Sequence, residues 1–326
     1  MKKNVETHGR ASLQQNVDNI NMIKTFFQEQ LAEWPLAKQN YEALNRVKVK
    51  DFDLGDAVVR VQFNPERIRS SAAKVDAKSI QERKCFLCPA NLPPEQKGVP
   101  FGRNYQILVN PFPIFPVHLT IPYRDHVDQL IFGRFGDMLE LAQTLDDFVV
   151  FYNGPKCGAS APDHFHFQAG NKGFLPLEKE VLIAKRELLI STDELLCFTL
   201  PDYHRNVIVI ESAKRNEIEK LFNKIFAVLE IKDGEKEPML NIVTWFEKNK
   251  WIACVFPREV HRPACFFAKG DNNILISPAS VDLSGVCVLP KEKDFEKITA
   301  DDIKTVFSEI CVSKEKLNEI LNNIQY

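Results

Sequence analysis

No apolar run in this chain of 326 residues approaches the ~18 expected of a membrane span. Charge of one sign is not in excess: 42 basic and 44 acidic side chains leave a formal net charge of −2. That balance argues against a general nucleic-acid or membrane-surface binder, while leaving room for a local basic pocket. No low-complexity segment interrupts the chain, and 44% hydrophobic with 26% charged residues is the composition of a globular protein with a substantial core. The opening "MKKNVETHGRASLQQNVDN" is basic at first but has no apolar signal-peptide core behind it, so the expected compartment is the cytoplasm. There a close cysteine pair points to metal or redox chemistry rather than to a disulfide. Only one such pair occurs. Cys157, Cys197, Cys254, Cys265, Cys287 and Cys311 stand singly in mostly apolar surroundings and read as buried thiols.

Residues 11 to 46 carry apolar side chains at helical spacing (Ile20, Ile23, Phe26, Phe27, Leu31), with an interruption at Pro35. "RVKVKDFDLGDAVVRVQFN" predicts two strands around an Asp-Leu-Gly-Asp turn, and "PERIRSSAAKVDAKSIQERK" a polar surface loop. Strands follow in "YQILVNPFP" and "VHLTIPY", then a helix over 135–147, a strand in "FVVFYN", a glycine loop and a strand carrying histidines. After residue 200 a similar rhythm returns. "NVIVIES" reads as a strand, 214–231 as a helix, and "LNIVTWFEKNKWIACVFP" as a hairpin turning near Lys248–Lys250. "NILISPAS" and "GVCVLPKE" add strands, and 300–324 one or two closing helices. The alternation predicts an α+β protein of two related halves, residues 1–200 and 201–326, each an antiparallel sheet flanked by helices.

Histidine is scarce, with seven in the chain, yet "NGPKCGASAPDHFHFQAG" (residues 153–170) sets His164, His166 and Gln168 at every second position. On a strand these three share one face, with Phe165 and Phe167 anchored in the core behind them. The preceding loop can turn backbone N–H groups toward an anion, because Gly154 and Gly158 permit conformations closed to other residues. Asn153, Lys156 and Ser160 add neutral and cationic donors. A phosphate chain on this loop would bring its phosphorus to an imidazole, an arrangement for nucleophilic attack by histidine. One histidine here would more often be a satisfied core residue; two on one face behind a glycine loop favour a site.

In "KCFLCPANLP", Cys85 and Cys88 have the spacing that lets two thiolates bind one zinc ion. With no second Cys-x-x-Cys, the remaining ligands must be histidines or carboxylates from elsewhere. His118 and His126 flank a strand and its following turn; His126 is the preferred third ligand and His164 a candidate fourth. A thioredoxin-like redox pair is the runner-up, although no such fold is suggested around it.

Together, "CFLCPAN", "IPYRDH", "NGPKCGAS" and "HFHFQ" resemble the branch of the histidine-triad superfamily that contains galactose-1-phosphate uridylyltransferase. Diadenosine tetraphosphate phosphorylase and the GDP-hexose phosphorylases belong to the same branch. The resemblance covers about residues 60 to 170 in motif terms, and "FPREVHRPACFF" is similar to the second half of the phosphorylases. It implies two histidine-triad-like halves and nucleotidyl transfer through a covalent nucleotidyl-histidine. His166 is then the nucleophile and Gln168 steadies the phosphate oxygens. Asn153 and Ser160 match phosphate-contacting positions, and Arg67 and Arg69 of "FNPERIRSS" resemble phosphate-binding arginines. Cys85, Cys88, His126 and His164 match four structural zinc ligands. The implied substrates are a nucleotide sugar with a hexose 1-phosphate as acceptor. One alternative is phosphorolysis of such a sugar, or of a dinucleoside polyphosphate, by inorganic phosphate; another is a binding protein without turnover. Pairing as a homodimer is also implied.

Overall fold

The structure, a computed structural model, describes residues 2–324 apart from 56, 69–71, 73 and 74. Side chains are described from residue 18 onward, residue 77 excepted. Thirteen strands are found among these residues. The first seven are β1 (Lys48–Asp53), β2 (Val58–Phe63), β3 (Gly98–Phe101), β4 (Tyr105–Val109), β5 (His118–Pro122), β6 (Phe148–Asn153) and β7 (His166–Asn171). The remainder are β8 (Glu187–Ser191), β9 (Leu195–Thr199), β10 (Ile208–Ser212), β11 (Leu240–Glu247), β12 (Lys250–Pro257) and β13 (Val286–Leu289).

Ten of them form one antiparallel sheet in the order β3-β4-β5-β7-β6-β11-β12-β10-β9-β8. The strands up to residue 171 meet those from residue 187 onward at β6 and β11, where Asn153 lies opposite Asn241 and Val150 opposite Thr244; β8 and β9, expected in the first half, pair beyond β10 on the far side. The fold is thus α+β, with antiparallel strands from both halves sharing one sheet. The β11–β12 hairpin turns through Lys248 and Asn249 at φ 50° and 61°. Two left-handed residues in succession match the right-handed twist of the flanking strands.

Alternation sorts side chains to the two faces of this sheet. Phe148, Val150 and Tyr152, with Phe165 and Phe167, pack with the helices Phe135–Thr144 and Arg215–Val228. Val149 and Phe151 point the other way, into a core shared with β2, β13 and the helix Ala300–Ile310. On that second side lies a three-stranded sheet, β1-β2-β13, in which β13 runs parallel to β2. A hairpin turn makes β1 and β2 antiparallel, whereas β13 arrives by a long connection that imposes no such direction.

Several local expectations hold. Pro35 divides the first helical region into Lys2–Glu33 and Pro35–Leu44, and the chain closes with two helices, Ala300–Ile310 and Lys314–Asn322. Others need correction. "NILISPAS" is irregular backbone: Ile274 and Ile276 are buried, but they fill the core without joining a ladder. The tract expected to be only loop contains a short helix, Ala77–Glu82, capped by Asp76, whose carboxylate accepts from the Ser79 N–H. No helix among the described residues is long and apolar enough to cross a membrane.

Candidate active site and metal centre

The strand expected to carry both histidines begins at His166. His164 lies before it in a bend, where its N–H donates to the Ala161 carbonyl. The shared strand face therefore belongs to His166 and Gln168, while His164 is free to turn elsewhere. Fully buried Gln129 fixes the start of β7. Its Oε1 accepts from the His166 N–H at 2.7 Å, and its Nε2 donates to the carbonyls of Asn153 and His166, both at 3.0 Å.

The His166 ring has one readable tautomer. Its Nδ1 is 2.8 Å from the His164 carbonyl oxygen. A carbonyl only accepts, so Nδ1 carries the proton and Nε2 carries the lone pair. Burial pushes the ring's pKa down to about 4, which keeps it neutral at pH 7.

Gln168 is oriented by a similar argument. The Ile114 N–H donates to His118 Nδ1 at 3.2 Å, so the proton of this buried neutral ring sits on Nε2, which donates to Gln168 Oε1 at 3.0 Å. Burial, aided by the Arg67 charge, drives the His118 pKa down to about 3. With its oxygen engaged, Gln168 has its amide N–H groups left for a ligand. Asn153 is set the same way: Oδ1 accepts from Asn241 Nδ2 at 2.8 Å and from the Ser280 N–H at 2.9 Å. Asn241 is held in turn by Arg258 at 2.6 Å. His118 was offered by sequence only as a residue beside the metal ligands, and Gln129, Asn241 and Arg258 gave no sequence signal.

Beside this network lies a cavity of about 600 Å³, lined by residues of the ten-stranded sheet and of the second layer. Asn153, Gly158, Ser160, His166, Gln168 and Arg67 all line it. Gly158 has φ +96°, and a Cβ there would stand 2.5 Å from that of Ala279, so only glycine fits. Arg67 donates through Nη1 to the Phe112 carbonyl at 2.7 Å; burial lowers its pKa to about 10, still protonated at neutral pH. Asp282 also lines the cavity, and burial raises its carboxyl to about 6. His261 and Arg262 come from the second half, with Arg262 Nε donating to Ser277 Oγ at 3.0 Å. One expected residue is not brought into the cavity. Lys156 does not line it and has its Nζ 3.8 Å from Glu235; Arg69 lies outside the described residues.

The metal-ligand expectation meets a compact cluster. Cys85 Sγ is 3.2 Å from His164 Nδ1, Cys88 Sγ is 3.2 Å from His126 Nδ1 and 3.5 Å from His164 Nδ1. All four ligand atoms lie within 4.8 Å of one another. A tetrahedral ion with the bond lengths usual for sulfur and imidazole would hold such pairs about 3.5 Å apart. The His164 Nε2–H donates to the Tyr123 carbonyl at 2.7 Å, which turns Nδ1 to the thiolates. Asp163 Oδ2 lies 3.8 Å from His126 Nε2. The donor set fits a closed, four-ligand metal site. It sits immediately beside the catalytic candidate, because the same His164 supplies both the ring for the cluster and the carbonyl for His166.

Fold and motifs define a class: an α+β protein of two histidine-triad-like halves with a histidine–glutamine strand at its cavity. Each half matches a family model of its own, and the fold as a whole is similar to that of solved Ap4A phosphorylase structures. Residues 26–171 match a family described as a domain of unknown function (DUF4922), and residues 182–325 match the "GDPGP1-like, C-terminal domain" family. Among solved structures the chain is similar to yeast Ap4A phosphorylase Apa2, with TM-score 0.55 and 16% identity over 87% of this chain and 97% of that one. The same yeast enzyme in complex with Ap4A gives TM-score 0.53 at 15% identity, covering 86% and 97% of the two chains. Its complex with AMP gives 0.51 at 16%, covering 86% and 94%. No match was found among curated protein sequences.

Proposed function

We propose that the protein transfers a nucleotidyl group through a covalent intermediate on His166. The observation that carries this reading is the ring's tautomer: a buried, neutral imidazole with its proton held on Nδ1 and its lone pair on Nε2. In the first step Nε2 attacks the α-phosphorus and the bond from phosphorus to the bridging oxygen breaks, that oxygen leaving with the electron pair. The imidazole then bears positive charge, and its Nδ1–H bond to the His164 carbonyl strengthens. In the second step an acceptor oxygen attacks phosphorus and the P–N electron pair returns to Nε2. Asn153, Gln168, Ser160 and Arg67 supply donors for the charge on the phosphoryl oxygens.

The substrate is a nucleoside diphosphate sugar or a related nucleotide. Inorganic phosphate is the acceptor we place first, in keeping with the activity named for the similar yeast enzyme and its binding of Ap4A and AMP. Hexose 1-phosphate is the second reading, with His261 and Arg262, which line the cavity from the second half, as the residues that would face it. We assign the metal of the Cys85–Cys88–His126–His164 cluster as zinc with a structural part, since four protein donors leave no position for substrate. Incubation with nucleoside diphosphate sugars and Ap4A, with phosphate or hexose 1-phosphate added, tests the reading by product analysis. Turnover with neither acceptor would sink it.

A further inference from the structure

Arg83 has a place that the scheme above does not use. It precedes the cysteine pair and lines the same cavity as His166. Its Nη2 pairs with Asp163 Oδ1, and the other oxygen of that carboxylate faces His126. The guanidinium also lies over the ring of Phe86, 5.0 Å from its centroid. Phe86 belongs to the Cys-Phe-Leu-Cys loop and lines the cavity, with 47% of its surface exposed. One edge of Arg83 is therefore fixed from both segments that the metal centre joins. Its other terminal nitrogen, Nη1, is buried with no acceptor among the described residues.

A charged donor left unpaired in the interior calls for an explanation. Six buried side-chain atoms among the described residues lack a hydrogen-bond partner, and only Arg83 Nη1 and Arg67 Nε belong to residues that line this cavity. The others, on Arg205, Glu211 and Asp294, lie away from it. The coincidence of two such arginines on one cavity points to an anionic ligand that supplies the missing acceptors.

We propose that Arg83 is a substrate-binding residue that gives its free guanidinium edge to a phosphate oxygen of the nucleotide, held in position by Asp163 and the metal-bound loop. The inference rests on the nucleotidyl-transfer reading. It adds that the metal centre governs substrate affinity as well as stability, because losing the ion frees the loop and the carboxylate that position Arg83.

The test measures binding of GDP, ADP and UDP by calorimetry to the metal-bound full chain and to Arg83→Gln, Asp163→Ala and the double variant. Arg83→Gln should weaken the nucleotide that the wild type binds by tenfold or more, with metal content unchanged and KM affected more than kcat. Asp163→Ala should weaken it less, and the double variant no more than Arg83→Gln alone, since Asp163 acts through Arg83. Affinity within twofold of wild type, or loss of metal from Arg83→Gln, would overturn the assignment. If that variant does not fold, Arg83→Lys decides: it keeps the charge but not the two-edged fork, so weakened binding supports the proposal and wild-type affinity overturns it. A wild type that binds none of the three nucleotides takes down the transfer reading and this one together; tight binding that survives Arg83→Gln takes down this one alone.

Discussion

Replacing His118 by phenylalanine separates orientation from chemistry at this site. His118 touches no metal ligand and does not line the cavity. It accepts from the Ile114 N–H and donates to Gln168 Oε1. Phenylalanine fills the space but leaves both partners unpaired in a buried place, at about 1–3 kcal/mol each. For a chain of 326 residues that corresponds to a fall in Tm of roughly 3–9 °C. Gln168 is then free to turn over and present its oxygen to the phosphate. Losing one such donor should slow transfer by roughly 10²-fold. His118→Gln provides the control, since its amide can both accept from Ile114 and donate to Gln168, and it should recover much of the rate. The assay is single-turnover formation of a labelled nucleotidyl-protein, with Tm and metal content measured alongside. Wild-type transfer by His118→Phe, or loss of metal from it, would refute the reasoning.

Asn153→Asp keeps the shape but replaces the amide donors with a carboxylate oxygen, so nucleotide Kd should rise by roughly tenfold or more, measured by calorimetry. Cys85→Ser should lower both metal content and Tm, read by elemental analysis and thermal melting; unchanged stability after chelation of the wild type would argue against a structural metal. Glu237 is buried against the Tyr152 hydroxyl and the Ile131 N–H, and burial raises its carboxyl to about 7 from 4.5. The folded protein therefore holds an extra proton between those values, and this group's contribution to stability is lost as pH rises through them, by about 2–4 kcal/mol. Glu237→Gln, neutral throughout, should melt near wild type at pH 5 and above it at pH 8. A protonated carboxyl can donate to the Tyr152 oxygen while Tyr152 donates to the Gln129 carbonyl at 3.0 Å, and glutamine can make the same chain.

The sequence made the chemistry easier to read than its support. Cys85, Cys88, His126 and His164 are of the right kinds and in spacings that leave few other choices, and they do converge. His166 and Gln168 stood out because alternation on a strand is a local property. The place of His164 was not local. Its neighbours allow a strand, but its N–H donates to the Ala161 carbonyl three residues back and the next N–H, of Phe165, to the distant Val127 carbonyl, which bends it out of the ladder. Long-range partners also explain what was missed. Gln129, Asn241, Arg258 and Asp163 are ordinary polar residues in sequence, and only the fold shows that each is paired and close to the site. "NILISPAS" misled for the reverse reason: an apolar run reports burial, and burial does not require a strand. The joining of both halves through β6 and β11 rests on pairing between residues some ninety positions apart in the chain, which no local pattern encodes.

The central claim is the nucleophile, and mass analysis of the trapped protein tests it most directly. The wild type, incubated with labelled nucleotide substrate and no acceptor, should carry one acid-labile nucleotidyl group on the peptide containing His166. His166→Ala should carry none while keeping its metal, and turnover should fall by ~10⁴ or more; His164→Ala should lose metal and stability first. An adduct on another residue, or full transfer by His166→Ala, would contradict the account.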